Sequence, residues 1–199
     1  MVLASHVIFS AYGFWLPNDP RGSWSDFVGS WELFNAGGRA TKTTERRSLA
    51  YDPHDRQRRL ATKEALKRKP VIFDERQRNR IAEGFARSAG KGNVKVWACA
   101  IMPDHAHFVF ERHRCDAELL ANFMKGEATK ALIAAECHPF LNEREEDGSV
   151  PHCWAQGQWK VFLDTSEDIR RAINYVRRNP IKDGMPEQSW DFVTPYENV

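Results

Sequence analysis

The sequence contains no long hydrophobic run. None of its apolar stretches approaches the roughly 20 residues that a membrane-spanning helix needs, so we expect no membrane segment. Residues 2–9 have neither the basic start nor the small-residue cleavage site of a secretory signal peptide. Together these two absences predict a cytoplasmic protein.

Cysteine is scarce, and no two cysteines form the C-x-x-C pair that is typical of redox and zinc sites. The four cysteines are Cys99, Cys115, Cys137 and Cys153. Because a cytosolic compartment would keep them reduced, we expect no disulfide framework. The adjacent pairs Cys137-His138 and His152-Cys153 leave a structural zinc site as an alternative, although their spacing matches no common zinc finger.

The net charge is also low, at +2, but basic residues are concentrated in one part of the chain. Between Arg39 and Arg80, fourteen lysines and arginines stand against six acidic residues. Such an excess is typical of a surface that faces phosphate groups. The alternative is a solvated helix face beside an exposed loop, and charge alone does not separate the two.

The composition is that of one globular domain, with 199 residues of which 42% are hydrophobic and 28% charged. We interpret residues 1–199 as a single domain with an irregular basic insertion at about 21–70. Strands and helices are predicted from alternating and 3.6-residue apolar patterns that glycine and proline interrupt. The predicted strands are 5–15, 94–102, 105–110 and 158–164, and the predicted helices are 55–69, 74–89, 116–135 and 166–178.

The order of the main elements is β, α, β, β, α, β, α, in which the helix inside the insertion is not counted. The first six form the βαββαβ pattern of a ferredoxin-like (RRM-like) sandwich, an α+β fold whose helices cover one face of an antiparallel sheet. A C-terminal helix follows, and Pro180 is expected to end it.

Two histidines lie one residue apart in the third predicted strand. Because side chains alternate along a strand, His105 and His107 should face the same side, with Cα atoms roughly 7 Å apart. Their imidazoles could share one divalent ion such as Mn²⁺ or Zn²⁺ and leave coordination positions open for a substrate oxygen. Taken alone, the spacing more often belongs to half-buried or surface histidines, so the pair needs a partner elsewhere in the chain.

The last predicted helix carries a tyrosine at the edge of its apolar face. The apolar residues are Ile169, Ala172, Ile173 and Val176. Helical geometry places Tyr175 at the border, with Asn179 at i+4 and with Arg171 and Arg178 at i−4 and i+3. A phenol beside an amide and two guanidinium groups is suited to a phosphate. The alternative is a boundary tyrosine whose ring packs and whose hydroxyl faces water.

Three motifs occur in order along the chain. They are MPDHAHFVF at 102–110, the pair Lys125-Gly126 in the following helix, and YVRRNPIKDG at 175–184. Together they resemble the single-tyrosine HUH transposases, and most closely the REP-associated tyrosine transposases. The resemblance is clear over 94–110 and 159–185, loose over the helix 116–135 and almost absent over 25–70.

The resemblance implies a metal-dependent endonuclease and strand transferase that acts on single-stranded DNA. In such enzymes two histidines and a polar residue four positions after the tyrosine hold a divalent ion, which implies Mg²⁺ or Mn²⁺ at His105, His107 and Asn179. The tyrosine, here Tyr175, attacks a phosphodiester and becomes a 5′-phosphotyrosine. Ala106 is smaller than the usual residue between the histidines, which affects packing rather than ligation.

The implied partner is DNA with a hairpin and a flanking single strand. Basic side chains would contact its phosphates, and aromatic rings would stack on its bases. The candidate phosphate contacts are Arg46, Arg47, Arg58, Arg59, Arg68, Lys125, Arg171 and Arg178. The candidate stacking residues are Trp15, Trp24, Trp31 and Phe34, each of which could instead belong to the core.

A second interpretation keeps the ferredoxin-like sheet as a non-catalytic module that binds single-stranded nucleic acid. The hairpin at 94–110 lacks the aromatic-rich signature of RNA-recognition strands, with Trp97 as the one obvious stacking residue, which disfavours this interpretation. The oligomeric state is also open, since compact members of the resembled family exchange the last helix within dimers. Between a monomer and a homodimer, we favour a monomer.

Overall fold

The computed structural model describes residues 1–19, 28–39 and 54–196. Its strands are β1 (Ala4–Ser10), β2 (Val96–Ile101), β3 (His105–Glu111) and β4 (Trp159–Leu163). Its helices are α1 (Trp31–Gly37), α2 (Arg56–Glu64), α3 (Glu75–Gly92), α4 (Ala117–Ala134) and α5 (Ser166–Lys182). Among these residues, no helix combines the length and the apolar character that crossing a membrane requires. Trp24, Arg46 and Arg47 lie outside the described residues.

The strands form one sheet in the order β2-β3-β1-β4. Every neighbouring pair is antiparallel. The central strand β1 pairs Ile8 with His107 on one side and with Trp159 on the other. With α3 and α4 in the two crossover connections, this order confirms the predicted α+β, ferredoxin-like sandwich.

One face of the sheet is covered by α3 and α4. The core between them and the sheet includes Phe9, Phe85 and Phe108, all fully buried, and the rings of Phe85 and Phe108 lie 4.8 Å apart at their centres. The two helices approach closely because position 84 is glycine, where an added Cβ would lie 2.5 Å from the Cα of Ala128. This close packing makes the layer a firm base for the opposite face of the sheet.

The last helix, α5, lies on that opposite face, as the predicted C-terminal helix requires. Small residues of β2, Ala98 and Ala100, leave room for the apolar stripe of the helix to pack against the sheet. The helix begins after Thr165, whose hydroxyl accepts a hydrogen bond from the N–H of Asp168 at 3.1 Å and so caps the first turn. The histidine-bearing face of β3 and the tyrosine-bearing helix therefore meet.

Some boundaries differ from the sequence-based expectations. β1 ends at Ser10 rather than at residue 15, because Gly13 and Trp15 adopt positive φ angles of 88° and 53° that turn the chain. The helix expected at 55–69 is shorter, and α1 is an additional short helix in the part of the insertion that is described. α5 also continues through Pro180 to Lys182, since the proline is buried against the core in the last turn, where few backbone bonds remain to be lost.

After α5 the chain returns along the outer edge of β2. The Gln188 side chain accepts a hydrogen bond from the N–H of Ile101 at 2.8 Å and donates one to its carbonyl at 2.9 Å. Thr194 donates its N–H to the carbonyl of Val96 at 2.8 Å. These contacts occupy backbone groups that an edge strand would otherwise present to another sheet.

Candidate active site

The strand β3 brings the two predicted histidines together. The Nε2 atoms of His105 and His107 lie 2.8 Å apart. His107 is only 2% exposed, whereas the side chain of His105 is 14% exposed. The pair therefore has one side closed by the core and one side that opens toward solvent.

Each of these histidines is contacted at Nδ1 by another side chain. Asp104 Oδ1 lies 2.6 Å from Nδ1 of His105, and Nε2 of His6 lies 3.3 Å from Nδ1 of His107. A partner at Nδ1 fixes the orientation of the ring and favours the tautomer with the proton on Nδ1. The Nε2 atoms then direct their lone pairs into the same small volume.

Helix α5 adds an amide and a phenol to this group. Asn179 Nδ2 contacts Nε2 of His107, and rotation of the amide would present Oδ1 to the same volume. The ring of Tyr175 lies edge-on to His107 with 5.6 Å between ring centres, and 5.8 Å from the ring of His6. On its outer side, Nζ of Lys182 lies 5.3 Å from the centre of the Tyr175 ring.

Burial determines the protonation of this group. It lowers the pKa of His6 from 6.5 to about 4. Burial, and after it repulsion from His105 and His6, lowers the pKa of His107 well below its usual range. Both rings are therefore neutral at neutral pH, which is the form that binds a cation. Burial, followed by the charge of Asp183, raises the pKa of Tyr175, so its phenol keeps its proton.

The donors that could hold a metal ion are Nε2 of His105, Nε2 of His107 and the side chain of Asn179. Within the described part of the chain, no three or more His, Cys, Asp or Glu side chains form a metal cluster, so the set comprises two imidazoles and one amide. The two Nε2 atoms, 2.8 Å apart, are close enough to share one proton or one cation. Imidazole and amide donors with open coordination positions suit a divalent ion, so the residues fit one.

One of the predicted stacking residues borders the site. The ring of Trp15, in the turn after β1, lies 6.1 Å from the ring of His105. Trp31 and Phe34 are exposed on α1, with stacked rings 5.7 Å apart. Of the predicted stacking residues that the structure describes, Trp15 is therefore the one beside the histidines.

Other residues at the site are missed by sequence reasoning. They include His6, Trp159, whose ring lies 5.3 Å from that of His6, and Lys182 beside Tyr175. The signal that could identify His6 is a histidine inside a short, otherwise mainly apolar strand, because such a polar residue is buried only with a partner. Lys182 stands at i+7 from Tyr175, but Pro180 is expected to end the helix before it, and no comparable signal marks Trp159.

Two predicted phosphate contacts lie on α5 with the tyrosine. Arg178 is exposed and lies one turn after Tyr175. Arg171 is 67% exposed and pairs with Asp168 at 2.5 Å. An exposed ion pair of this kind is weak, so a phosphate can replace Asp168 as the partner of the Arg171 guanidinium.

Lys125 occupies a different environment from the one expected of a phosphate contact. It is only 8% exposed, and its ammonium donates to the carbonyls of Ala155, Gln156 and Gly157 at 2.9, 3.2 and 3.0 Å. Burial lowers its pKa to about 8. The side chain holds the segment that precedes β4, so the predicted DNA contact does not match its position.

The arginines of the basic insertion are also unequal. The side chain of Arg68 is 16% exposed and bonds Glu143 at 2.6 Å and Glu145 at 3.0 Å, so its charge is compensated within the protein. On α2, Arg58 is exposed and Arg59 is half-buried. Of the predicted insertion contacts in the described residues, Arg58 is therefore the most accessible to a phosphate.

The alternative zinc site has no support in the described residues, where no metal cluster forms. His138 uses Nδ1 to accept a hydrogen bond from the N–H of Phe140 at 3.2 Å. Burial raises the pKa of Cys153 to about 12, and its Sγ lies 3.8 Å from the hydroxyl oxygen of Thr129.

The sequence profile of IS200-like transposases matches residues 64–179, which is more than half of the chain and includes both histidines, the tyrosine and the asparagine. The chain belongs to the IS200-like transposase family. This transposase is also similar to a Haemophilus influenzae protein provisionally named a REP-associated tyrosine transposase, with 21% identity over 125 residues, 61% of this chain and 70% of that protein. The family resemblance inferred from the motifs is thereby confirmed.

Two solved structures are similar to this transposase. One is a REP-associated tyrosine transposase bound to a REP hairpin, with 10% identity, a TM-score of 0.48 and coverage of 92% of this chain and 70% of that one. The other is the crystal structure of a provisionally named transposase from Deinococcus radiodurans, with 12% identity, a TM-score of 0.40 and coverage of 93% and 92%.

Proposed function

We propose that this transposase is a metal-dependent endonuclease and strand transferase for single-stranded DNA, with Tyr175 as the nucleophile. The observation that carries the proposal is the position of the Tyr175 ring, 5.6 Å from the ring of His107 and on the same chain. Family membership supports DNA as the substrate, since residues 64–179 match a transposase profile.

We propose His105, His107 and Asn179 as the ligands of a divalent ion, Mg²⁺ or Mn²⁺. When bound, such an ion polarises a phosphodiester and offsets the charge that develops during in-line attack. Asp104 and His6 hold the rings of His105 and His107 in orientations that turn their Nε2 atoms toward the proposed ion.

The reaction would be a transesterification that conserves phosphodiester bonds. The Tyr175 oxygen attacks phosphorus, the bond to the 3′ oxygen breaks, and the phenolic proton leaves while the 3′ oxygen gains one. The products are a 5′-phosphotyrosine and a free 3′-hydroxyl. Because the bond energy is retained, attack by a 3′-hydroxyl reverses the step and joins strands without a nucleotide cofactor.

Neighbouring cations would assist the tyrosine. Its raised pKa keeps the phenol protonated, and a neutral phenol is a weak nucleophile, so negative charge that develops on the oxygen needs stabilisation. Lys182 lies beside the ring, and Arg178 projects from the next turn of the same helix. A guanidinium group at that position could clamp the scissile phosphate through two parallel hydrogen bonds.

We propose a DNA hairpin with a flanking single strand as the substrate. An aromatic ring at the entrance supports a single-stranded segment at the site, since Trp15 lies 6.1 Å from His105 and unpaired bases stack on such rings. The exposed Arg58 is the candidate phosphate contact in the described part of the insertion.

The deciding experiment is a covalent-adduct assay. Wild-type protein, labelled hairpin DNA and Mn²⁺ should give a protein–DNA species that survives denaturation. Tyr175→Phe should abolish the adduct and retain DNA binding, whereas Tyr12→Phe, whose ring packs on Phe140 in the core, serves as the matched control. An adduct from Tyr175→Phe at the wild-type level would refute the proposal. DNA binding without any wild-type adduct would support the non-catalytic binding module.

A further inference from the structure

A second groove lies across α5 from the tyrosine. Its volume is about 530 Å³, and it is bounded by the helix, by β2 and by the chain that follows α5. From the helix, Arg170, Asn174 and Arg177 line it at i, i+4 and i+7, which forms one row about 10 Å long. Tyr175 and Asn179 lie on the other border of the apolar stripe, so the groove is separate from the candidate active site.

The charges in this groove have one sign. Arg170 and Arg177 are its charged lining residues, and no carboxylate lines it within the described part of the chain. Neither guanidinium forms an ion pair with a described residue, in contrast to Arg171, which pairs with Asp168. Two guanidinium groups without a described counterion give the groove a positive potential that attracts anions.

The uncharged lining also offers hydrogen-bond donors. The exposed amide of Asn174 borders the groove between the two arginines, whereas the Gln188 amide is already bonded to the backbone of Ile101. An amide N–H₂ group between two guanidinium groups suits a ligand rich in anionic oxygen atoms.

We propose that this groove binds the phosphodiester backbone of single-stranded DNA and anchors the strand on the side of α5 opposite the tyrosine. The inference rests on the proposed function for its choice of ligand, since a DNA strand is what the site across the helix would act on. A row of arginines along a helix can follow successive phosphates, and it reads charge rather than base identity. One helix would then hold the strand on one flank and react with it on the other.

The test is DNA binding by the double variant Arg170→Ala/Arg177→Ala in the Tyr175→Phe background. The probe is a fluorescein-labelled oligo-dT strand, measured by anisotropy at several salt concentrations without added metal. We expect the Kd to rise about tenfold or more and the slope of log K against log salt to become shallower by about 1.4, as the loss of two phosphate contacts requires. Arg170→Lys/Arg177→Lys should restore most of the affinity, because a phosphate accepts either cation.

The matched control is Arg112→Ala/Arg114→Ala, which removes the same charge from exposed positions after β3. If the groove variant binds oligo-dT within twofold of this control, the inference is overturned. A second measurement is the concentration of polyglutamate that displaces half of the bound oligo-dT. If this concentration is the same for the groove variant and for the control, the two arginines contribute nothing to DNA affinity and the inference is also overturned.

Failure of this inference can be separated from failure of the proposed function. If the groove variant loses DNA binding and the wild-type protein forms no adduct, the groove is a DNA site and the proposed strand transferase is refuted. If the adduct forms and depends on Tyr175 while the groove variant binds DNA normally, the strand transferase is supported and the groove is not a DNA site.

Discussion

The buried imidazole of His6 on β1 lies 3.3 Å from Nδ1 of His107 on β3. His105 has a carboxylate at the equivalent nitrogen, from Asp104 at 2.6 Å. The two histidines proposed as metal ligands are thus oriented by different chemistry. A neutral imidazole adds no charge to the core, which suits the more buried of the two rings.

We expect His6→Ala to weaken Mn²⁺ binding by about 10- to 100-fold, because His107 loses the partner that fixes its ring and tautomer. Free Mn²⁺ can be measured directly by electron paramagnetic resonance during a titration. Val7→Ala is the matched control, since it removes buried volume from the same strand on the opposite face of the sheet. Equal Mn²⁺ affinity in the two variants would show that His6 only fills space.

The active site is expected to work within one chain. Tyr175, Asn179 and both histidines meet without a second copy, and Gln188 covers the edge of β2 with two hydrogen bonds to Ile101. Mixing Tyr175→Phe with His107→Ala should therefore give no adduct, and light scattering should give a monomer mass near 22.9 kDa. Recovery of adduct in the mixture would show that the helix acts on a neighbour's sheet.

The buried Lys125 is expected to make the free energy of unfolding depend on pH. Its ammonium has three carbonyl partners, so Lys125→Met should destabilise the protein by about 2 kcal/mol at neutral pH. The folded-state pKa of about 8 lies below the ordinary value of 10.5, so between these pH values the unfolded chain binds more protons. Wild-type stability relative to Lys125→Met should therefore rise across this window, by about 3 kcal/mol at most.

Chemical denaturation of both proteins at pH 7.5, 9 and 10.5 measures this difference. Lys125→Arg is the control, because a guanidinium group stays protonated throughout and should show no such rise. A constant difference between wild type and Lys125→Met over the same range would mean that the ammonium has an ordinary pKa in the folded protein.

Much of the fold, and the placement of the proposed metal ligands and nucleophile, can be predicted from short-range sequence patterns. A period of two puts His105 and His107 on one face of β3, and a period of 3.6 puts Tyr175 and Asn179 at the edge of the stripe on α5. Asp104 is next to His105 in the chain, so its contact is local as well.

The contacts that the sequence does not reveal depend on pairing between distant segments. His6 meets His107 because β1 and β3 pair with Ile8 opposite His107, and register of this kind cannot be read from either strand alone. Lys125 illustrates the opposite case, in which a basic residue on a helix is predicted to face DNA but is buried by carbonyls 30 to 32 positions later.

Trp15 has a left-handed backbone, with φ of 53°, and its ring lies 6.1 Å from that of His105. A residue with a side chain costs about 1 kcal/mol more than glycine in this conformation. We therefore expect Trp15→Gly to be more stable than Trp15→Ala by about 1 kcal/mol, the reverse of the usual order, in which alanine is the more stable of the two.

Both variants should also lose about 1–3 kcal/mol of binding free energy for single-stranded DNA, since the stacking ring is gone, and Trp15→Phe should retain most of it. Thermal unfolding and anisotropy on the same three proteins measure the two effects, and unchanged affinity in Trp15→Ala would exclude a stacking role.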